Sequence, residues 1–138
     1  MEKTLVLIKP DAVERNLIGK VIGRIEDNGM KLLALKMLRI DRSLAEKHYA
    51  AHSDKPFFKG LVGYITSGPI VACVFGGENA VEVIRGVMGS TDPAKAAQGT
   101  IRKDFALDIE RNSVHGSDAS QTAKKEIALF FTDKEIYG

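Results

Sequence analysis

The chain of 138 residues contains no tryptophan and only one cysteine, Cys73. A single cysteine cannot form a disulfide within the chain. Cys73 lies in the apolar run 70–75, so we expect it to behave as a small buried hydrophobic residue. The absence of disulfides is typical of a reducing compartment, and we expect a cytoplasmic protein.

Long hydrophobic runs are missing as well. Only five apolar-leaning residues separate the polar N-terminus from Lys9 and Pro10. That stretch is too short for the core of a signal peptide, and no other segment approaches membrane-spanning length. We therefore expect a soluble intracellular protein with no membrane partner.

The composition shows no strong bias towards one charge. Hydrophobic residues make up 44% of the chain and charged residues 28%, with a net charge of +2. These values are typical of a globular protein and do not point to nucleic acid as the main partner. The length suits one domain, residues 1–138, and we find no repeat or linker.

Apolar periodicity divides the chain into strands and helices. It predicts strands at residues 4–8, 31–40, 70–75 and 105–109. It also predicts helices at 17–28, from 43, from 54 to 65, at 79–88 and from 118 to 131, with a long loop at 89–100. This order favours an α+β fold, βαββαβ, in which helices pack on one face of a four-stranded antiparallel sheet, with additional short helices.

The common phosphate-binding loops are also absent. The sequence has no G-x-x-x-x-G-K-[ST] loop, no G-x-G-x-x-G turn and no protein-kinase catalytic loop. Any phosphate site must therefore be built from side chains. The candidates are Lys9, Arg85, Thr91 and Arg102, which together suit a polyphosphate. Taken alone, each of these residue types is much more often a solvated surface residue than a ligand-binding one.

A histidine in an unusual setting lies near the end of the chain. Residues 112–118 read Asn-Ser-Val-His-Gly-Ser-Asp, so His115 has small and polar neighbours and precedes a helix. An exposed, unprotonated imidazole can accept a phosphoryl group. His48 and His52 are assigned no role, and the sequence contains no metal-ligand spacing.

These seven residues resemble the N-x-x-H-G-S-D signature of nucleoside diphosphate kinases. Other motifs in matching order extend the resemblance over nearly the whole chain: Lys9-Pro10-Asp11, Pro56-Phe57-Phe58, Ser67-Gly68-Pro69 and Gly99-Thr100-Ile101-Arg102. The resemblance implies a ferredoxin-like fold and a ping-pong reaction of broad base specificity. A nucleoside triphosphate would phosphorylate His115, and the phosphohistidine would then phosphorylate a nucleoside diphosphate.

The resemblance also implies roles for individual residues. Around the nucleophile, Glu126, assisted by Ser117, would accept a hydrogen bond from one ring nitrogen of His115, and Tyr49 would position the terminal phosphate. The nucleotide-binding residues would be Lys9 and Asn112 at the sugar, Arg85, Thr91 and Arg102 at the β- and γ-phosphates, and Phe57 and Ile109 at the base. Lys9 would also lie near the phosphates.

The metal and the assembly follow from the same resemblance. Mg²⁺ would bind mainly through the nucleotide phosphates, and Asp118 would contact it at most through water. The family forms homohexamers or homotetramers, and the sequence does not choose between them. Asn16 stands where the family often has glycine.

Two other functions compete with this one. The βαββαβ order also serves non-catalytic RNA-binding modules, but these display stacking aromatics on central strands, and the first strand has none. A small-ligand regulatory domain of similar topology is the other alternative. It would leave His115 and the arginines without a role.

Overall fold

The computed structural model describes all 138 residues and contains four strands and seven α-helices. The strands are β1 (Glu2–Ile8), β2 (Lys31–Leu38), β3 (Ile70–Gly77) and β4 (Val114–Gly116). The helices are α1 (Pro10–Glu14), α2 (Ile18–Asp27), α3 (Arg42–His48), α4 (Phe58–Ile65), α5 (Ala80–Met88), α6 (Ile101–Phe105) and α7 (Ser120–Phe130). Two 3₁₀ turns lie at Ala50–His52 and Asp133–Glu135.

The four strands form one antiparallel sheet in the order β2-β3-β1-β4. The central pair is in register from Glu2 opposite Gly77 to Ile8 opposite Val71. β4 pairs with the other side of β1 and places His115 opposite Leu7. This order confirms the predicted ferredoxin-like α+β fold.

Helices cover both faces of the sheet, so the prediction that they pack on one face was wrong. Alternate residues of β1 point to opposite sides, and Val6 and Leu7 belong to separate buried clusters. α2 and α5 supply one cluster, and α3, α4 and α7 supply the other. The continuous apolar sequence of β1 and β3 reflects this double coverage.

The predicted fourth strand at 105–109 was also wrong. Phe105 ends α6, and the next residues form a loop in which the Leu107 N–H donates to the Arg111 carbonyl at 2.9 Å. The Asp108 carboxylate accepts hydrogen bonds from the backbone and guanidinium of Arg111. A loop closed on itself offers few groups to a sheet, and the fourth strand instead contains His115.

Two local features refine the other predicted elements. α3 begins at Arg42, one residue before the predicted start at 43, because the Asp41 carboxylate accepts a hydrogen bond from the backbone of Leu44 at 2.8 Å. Asn16 has φ +61°, a left-handed conformation in which glycine and asparagine are the favoured residues. Its place at a position where the resemblance expects glycine is therefore explained.

The helices of this fold are short. None of them is both long and apolar enough to cross a lipid bilayer.

Candidate active site

His115 lies in the middle of β4, and its strand position decides which neighbours it meets. Paired residues of an antiparallel sheet place their side chains on the same face. His115 therefore shares a face with Leu7, which packs in the cluster supplied by α3, α4 and α7. This register brings the imidazole towards α3 and α7.

A chain of hydrogen bonds fixes the imidazole. Its Nε2 lies 2.9 Å from Oε1 of Glu126 on α7, and the Ser117 hydroxyl donates to the same oxygen at 2.7 Å. Ser117 Oγ in turn accepts from the backbone N–H of Leu5 at 3.4 Å. The structure thus brings His115, Glu126 and Ser117 together, as the family resemblance implies.

The charge of Glu126 determines the tautomer of His115. Burial opposes ionisation of this carboxyl, but the hydrogen bond and charge of His115 and the hydroxyl of Ser117 outweigh it and lower the pKa of Glu126. An ionised carboxylate only accepts hydrogen bonds, so Nε2 of His115 carries the proton. In the neutral ring the lone pair is then on Nδ1, which has no hydrogen-bond partner.

A cleft of about 650 Å³ opens beside His115. It is lined by eight of the residues singled out from the sequence, namely Lys9, Tyr49, Phe57, Thr91, Arg102, Ile109, Asn112 and His115. Three further lining residues, His52, Leu61 and Glu110, were not predicted. A larger surface concavity, of about 830 Å³, lacks His115 and its hydrogen-bonded partners.

Lys9 is a buried cation at the floor of this cleft. Its ammonium donates to Oδ1 of Asn112 at 2.9 Å, and its backbone N–H donates to the Ser113 carbonyl at the same distance. Burial, followed by the positive charge of Arg102, lowers the pKa of Lys9 to about 8. The Asn112 amide also donates to the Ile109 carbonyl at 2.9 Å, so lysine and asparagine form one fixed unit.

Arg102 joins the long loop to the strand that contains His115. Only 8% of the residue is exposed, and its two terminal nitrogens donate to the carbonyls of Gly89 and Val114, each at 2.9 Å. Burial and the charge of Arg85 lower the pKa of Arg102 to about 10. The guanidinium remains charged at neutral pH and is fixed in direction.

Arg85 is the one predicted phosphate residue outside the cleft lining. It is exposed on α5, and its guanidinium donates to the carbonyl of Gly116, next to His115, at 3.5 Å. The positive charge of Arg85 helps to lower the pKa of Arg102. A side chain of this length can turn towards an anion in the cleft.

The cleft mouth is apolar. Phe57 and Ile109 are 51% and 59% exposed, which is unusual for large hydrophobic side chains. Both line the same cleft as the cationic side chains of Lys9 and Arg102. The cleft therefore offers apolar contact to one part of a ligand and positive charge to another.

Sequence reasoning missed the residues that fix the backbone just before β4. Ser113 has φ +72°, a strained value for a residue other than glycine. The buried Asp11 carboxylate accepts hydrogen bonds from the backbone and hydroxyl of Ser113, at 3.2 and 2.8 Å, and from the hydroxyl of Tyr64. Asp11 belongs to the Lys9-Pro10-Asp11 motif, which was the only signal of its importance.

His48 was also missed. Its ring lies 4.5 Å from the ring of His115, measured between centroids, with an interplanar angle of 81°. Burial and the charge of His115 lower the pKa of His48 to about 3, so it is neutral at physiological pH. No pattern in the sequence links these two histidines, because they meet only after α3 packs against the sheet.

The fold and the site define an α+β protein whose oriented histidine faces a cationic cleft, as an enzyme that transfers phosphoryl groups requires. The family described as nucleoside diphosphate kinase matches residues 2–136. The chain belongs to the nucleoside diphosphate kinase family, and its activity is that of a phosphotransferase.

Individual relatives agree with this assignment. Proteins named nucleoside diphosphate kinase from Dehalococcoides mccartyi and Archaeoglobus fulgidus are 58% and 59% identical over 136 residues. In both alignments 99% of this chain is covered, with 96% and 90% of the respective relative. The RNA-binding alternative has no support among the relatives.

Solved structures show the same fold. The nucleoside diphosphate kinase of Aquifex aeolicus has a TM-score of 0.95 at 39% identity, with 98% of each chain covered. The enzyme of Halobacterium salinarum, solved in complex with CDP, has a TM-score of 0.96 at 49% identity, covering 99% of this chain and 91% of that one.

Replacing Asp11 tests whether its hydrogen bonds to Ser113 stabilise the fold. In Asp11→Asn one acceptor oxygen becomes a donor that cannot satisfy these partners, and we expect the free energy of unfolding to fall by about 1.5–3 kcal/mol. Tyr64→Phe removes one donor only and should cost about 1 kcal/mol. Urea denaturation measures both. An Asp11→Asn protein as stable as the wild type would contradict the anchoring role.

Proposed function

We propose that residues 1–138 form one catalytic domain in which His115 carries the phosphoryl group between two nucleotides. Nδ1 attacks the γ-phosphorus of a nucleoside triphosphate. A P–N bond forms, the bond to the β-phosphate oxygen breaks, and a nucleoside diphosphate leaves. A β-phosphate oxygen of a second nucleoside diphosphate then attacks the phosphohistidine and restores the free imidazole.

The observation that carries this proposal is the hydrogen bond from Nε2 of His115 to Glu126. It leaves the nucleophilic lone pair on Nδ1, beside the cationic cleft. The carboxylate also stabilises the positive charge that develops on the ring as the P–N bond forms. Ser117 orients the carboxylate through its own hydrogen bond.

The cationic and hydroxyl groups of the cleft suit the phosphates. Arg102, with its direction fixed by two carbonyls, and Thr91 would hold the β- and γ-phosphates, and Arg85 would turn in from the rim. Tyr49 would position the terminal phosphate with a buried hydroxyl that has no other partner. Phosphoryl transfer depends mainly on such positioning and charge stabilisation.

The nucleoside would occupy the remaining part of the cleft. Lys9 and Asn112 would bind the sugar hydroxyls as a unit, with Lys9 also near the phosphates. Phe57 and Ile109 would contact the base through exposed apolar surfaces that any base can use. Broad base specificity follows, and the CDP bound by the Halobacterium salinarum enzyme supports a nucleotide in this cleft.

The divalent metal of this reaction is proposed to be Mg²⁺ that arrives with the nucleotide. The cleft lining is mainly cationic and apolar, and its only carboxylate, Glu110, is exposed at the edge. Such a lining does not fit a resident oxygen-liganded ion. Mg²⁺ bound to the phosphates neutralises charge there, and Asp118 would reach it at most through water.

The cellular setting and the assembly belong to the same proposal. Cys73 is a buried free thiol, which fits a reducing cytoplasm. Leu35 and Met37 are 50% and 58% exposed on the edge strand β2, which supports burial against another copy in a homohexamer or homotetramer. The mass of the native particle distinguishes the two assemblies from a monomer.

Incubation with γ-labelled ATP tests the nucleophile. We expect label on the protein as an acid-labile, base-stable adduct, because phosphohistidine has those properties and a phosphorylated hydroxyl does not. His115→Ala should lose the label, while His52→Ala, a change at the cleft edge, should keep it. Equal labelling of His115→Ala would overturn the proposal.

Glu126 should affect transfer more than binding. In Glu126→Ala the ring loses its orienting carboxylate, and we expect phosphorylation of His115 to slow by about 100-fold. The nucleotide Kd should stay near the wild-type value, because Glu126 does not line the cleft. Glu126→Gln keeps an acceptor oxygen and should recover part of the rate. Equal loss of binding and rate would argue against an orienting role.

The lowered pKa of Lys9 predicts that the enzyme loses activity at alkaline pH. Its pKa is lowered to about 8, so the ammonium is charged below that pH and loses its charge as the pH rises through it. We expect kcat/KM for the nucleoside triphosphate to fall above about pH 8. Lys9→Arg remains charged there, so the alkaline fall should disappear even if the overall rate is lower. An unchanged alkaline limb in Lys9→Arg would exclude Lys9 as its source.

A further inference from the structure

The proposed reaction leaves one buried titratable side chain near the cleft without a role, His48. Only 9% of this residue is exposed, and neither ring nitrogen has a hydrogen-bond partner. Buried polar groups in native proteins are nearly always paired, so an imidazole with both nitrogens free requires an explanation. A ligand absent from the free protein would provide one.

The surroundings of His48 indicate what that ligand is. Its ring meets the ring of His115 nearly at right angles, and Nε2 of His115 lies 2.9 Å from Oε1 of Glu126. One donor atom from each of the three residues can be chosen so that all lie within 4.8 Å of one another. The donors come from α3, β4 and α7, so no spacing in the sequence predicts the group.

Two imidazoles and one carboxylate form a donor set that suits zinc. In tetrahedral sites Zn²⁺ bonds to histidine nitrogen and carboxylate oxygen at about 2.0–2.2 Å, which separates the donors by about 3.4 Å. His115 and Glu126, at 2.9 Å, would open slightly, and the widest pair, at up to 4.8 Å, would close by up to about 1.4 Å. Side-chain adjustments of that size need no change in the backbone.

We propose that His48, His115 and Glu126 form a binding site for Zn²⁺ or a similar borderline-soft divalent cation, and that occupation of this site inhibits phosphorylation of His115. The binding stands on the donor set alone, whereas the inhibition rests on the function proposed above. The ion would enter through the cleft, because His115 forms part of its lining.

Inhibition follows from the atoms involved. The cation bonds to Nε2 of His115, so the one proton of the neutral ring moves from Nε2 to Nδ1, and the cation takes over the carboxylate of Glu126. Nδ1 then has no lone pair with which to attack phosphorus. The charge of the ion would also oppose the positive charge that develops on the ring during transfer.

The proposed site would favour Zn²⁺ over Mg²⁺, the cation that accompanies the nucleotide. Mg²⁺ prefers oxygen ligands in octahedral geometry and binds imidazole weakly, whereas zinc accepts nitrogen and oxygen donors in tetrahedral sites. The nearby cations Lys9 and Arg102 would weaken binding of any metal ion while the cleft is free of phosphate. We therefore expect a reversible inhibitory site rather than a permanent structural one.

Calorimetric titration of the nucleotide-free protein with Zn²⁺ tests the binding. The wild type should bind one zinc ion per chain, and excess Mg²⁺ should not displace it. His48→Gln should raise the Kd for zinc by about tenfold or more, because it removes one of the three ligands. His52→Gln is the matched control, because it removes the exposed histidine outside the donor set and should bind zinc as the wild type does.

A measurement on the wild type covers the case in which His48→Gln does not fold. Zinc should shift the ring resonances of His48 and His115 in NMR spectra and leave those of His52 in place. Zinc binding that persists unchanged in folded His48→Gln, or resonance shifts confined to His52, would overturn the proposal.

Labelling then separates this inference from the proposed function. With trace γ-labelled ATP, zinc should suppress labelling of the wild type, a chelator should restore it, and His48→Gln should require at least about tenfold more zinc. Absence of label without zinc would refute the phosphohistidine while leaving the binding result intact. Normal labelling at saturating zinc would refute the inhibition.

Discussion

The three residues of β4 determine the active site, and so short an edge strand depends on contacts outside the sheet. Asp11 holds the left-handed Ser113 just before the strand, and Arg102 donates to the carbonyl of Val114 at its start. At the other end, the backbone N–H of Ser117 donates to the carbonyl of Leu5. His115 lies between these anchors, so its direction is set by backbone geometry before any ligand arrives.

Positive charge in the cleft is costly in the free protein and becomes favourable with an anion. Lys9 and Arg102 are buried, and their lowered pKa values record desolvation and, for Lys9, repulsion by Arg102. Arg85 repels Arg102 in the same way. A polyphosphate would supply the missing negative charge, so recognition rests on the part of the nucleotide that all substrates share. In the proposed complex the base would meet only Phe57 and Ile109, whose apolar contacts would discriminate weakly between bases.

The sequence predicted the central strands, most helices and the signature around His115, because continuous apolar runs, helical stripes and short motifs are local patterns. It failed at β4, which is too short to show alternation, and placed a strand at 105–109, where alternating residues belong to a loop closed by Asp108. It predicted the helices of the second face but placed all helices on one face of the sheet, although the apolar first strand is typical of a strand covered on both sides. The contact between His48 and His115 depends on tertiary packing, which no local pattern encodes.

The unpartnered buried polar atoms show where the fold has been shaped by something other than stability. They are Thr4 Oγ1, both ring nitrogens of His48, the Tyr49 hydroxyl and Nε of Arg102. All but the threonine belong to residues that line the cleft or touch His115. Each such atom costs free energy in the free protein, and apolar replacements would remove that cost. Their concentration around one histidine is expected if ligands complete their hydrogen bonds or coordination, so the least satisfied part of the core is also the part that functions.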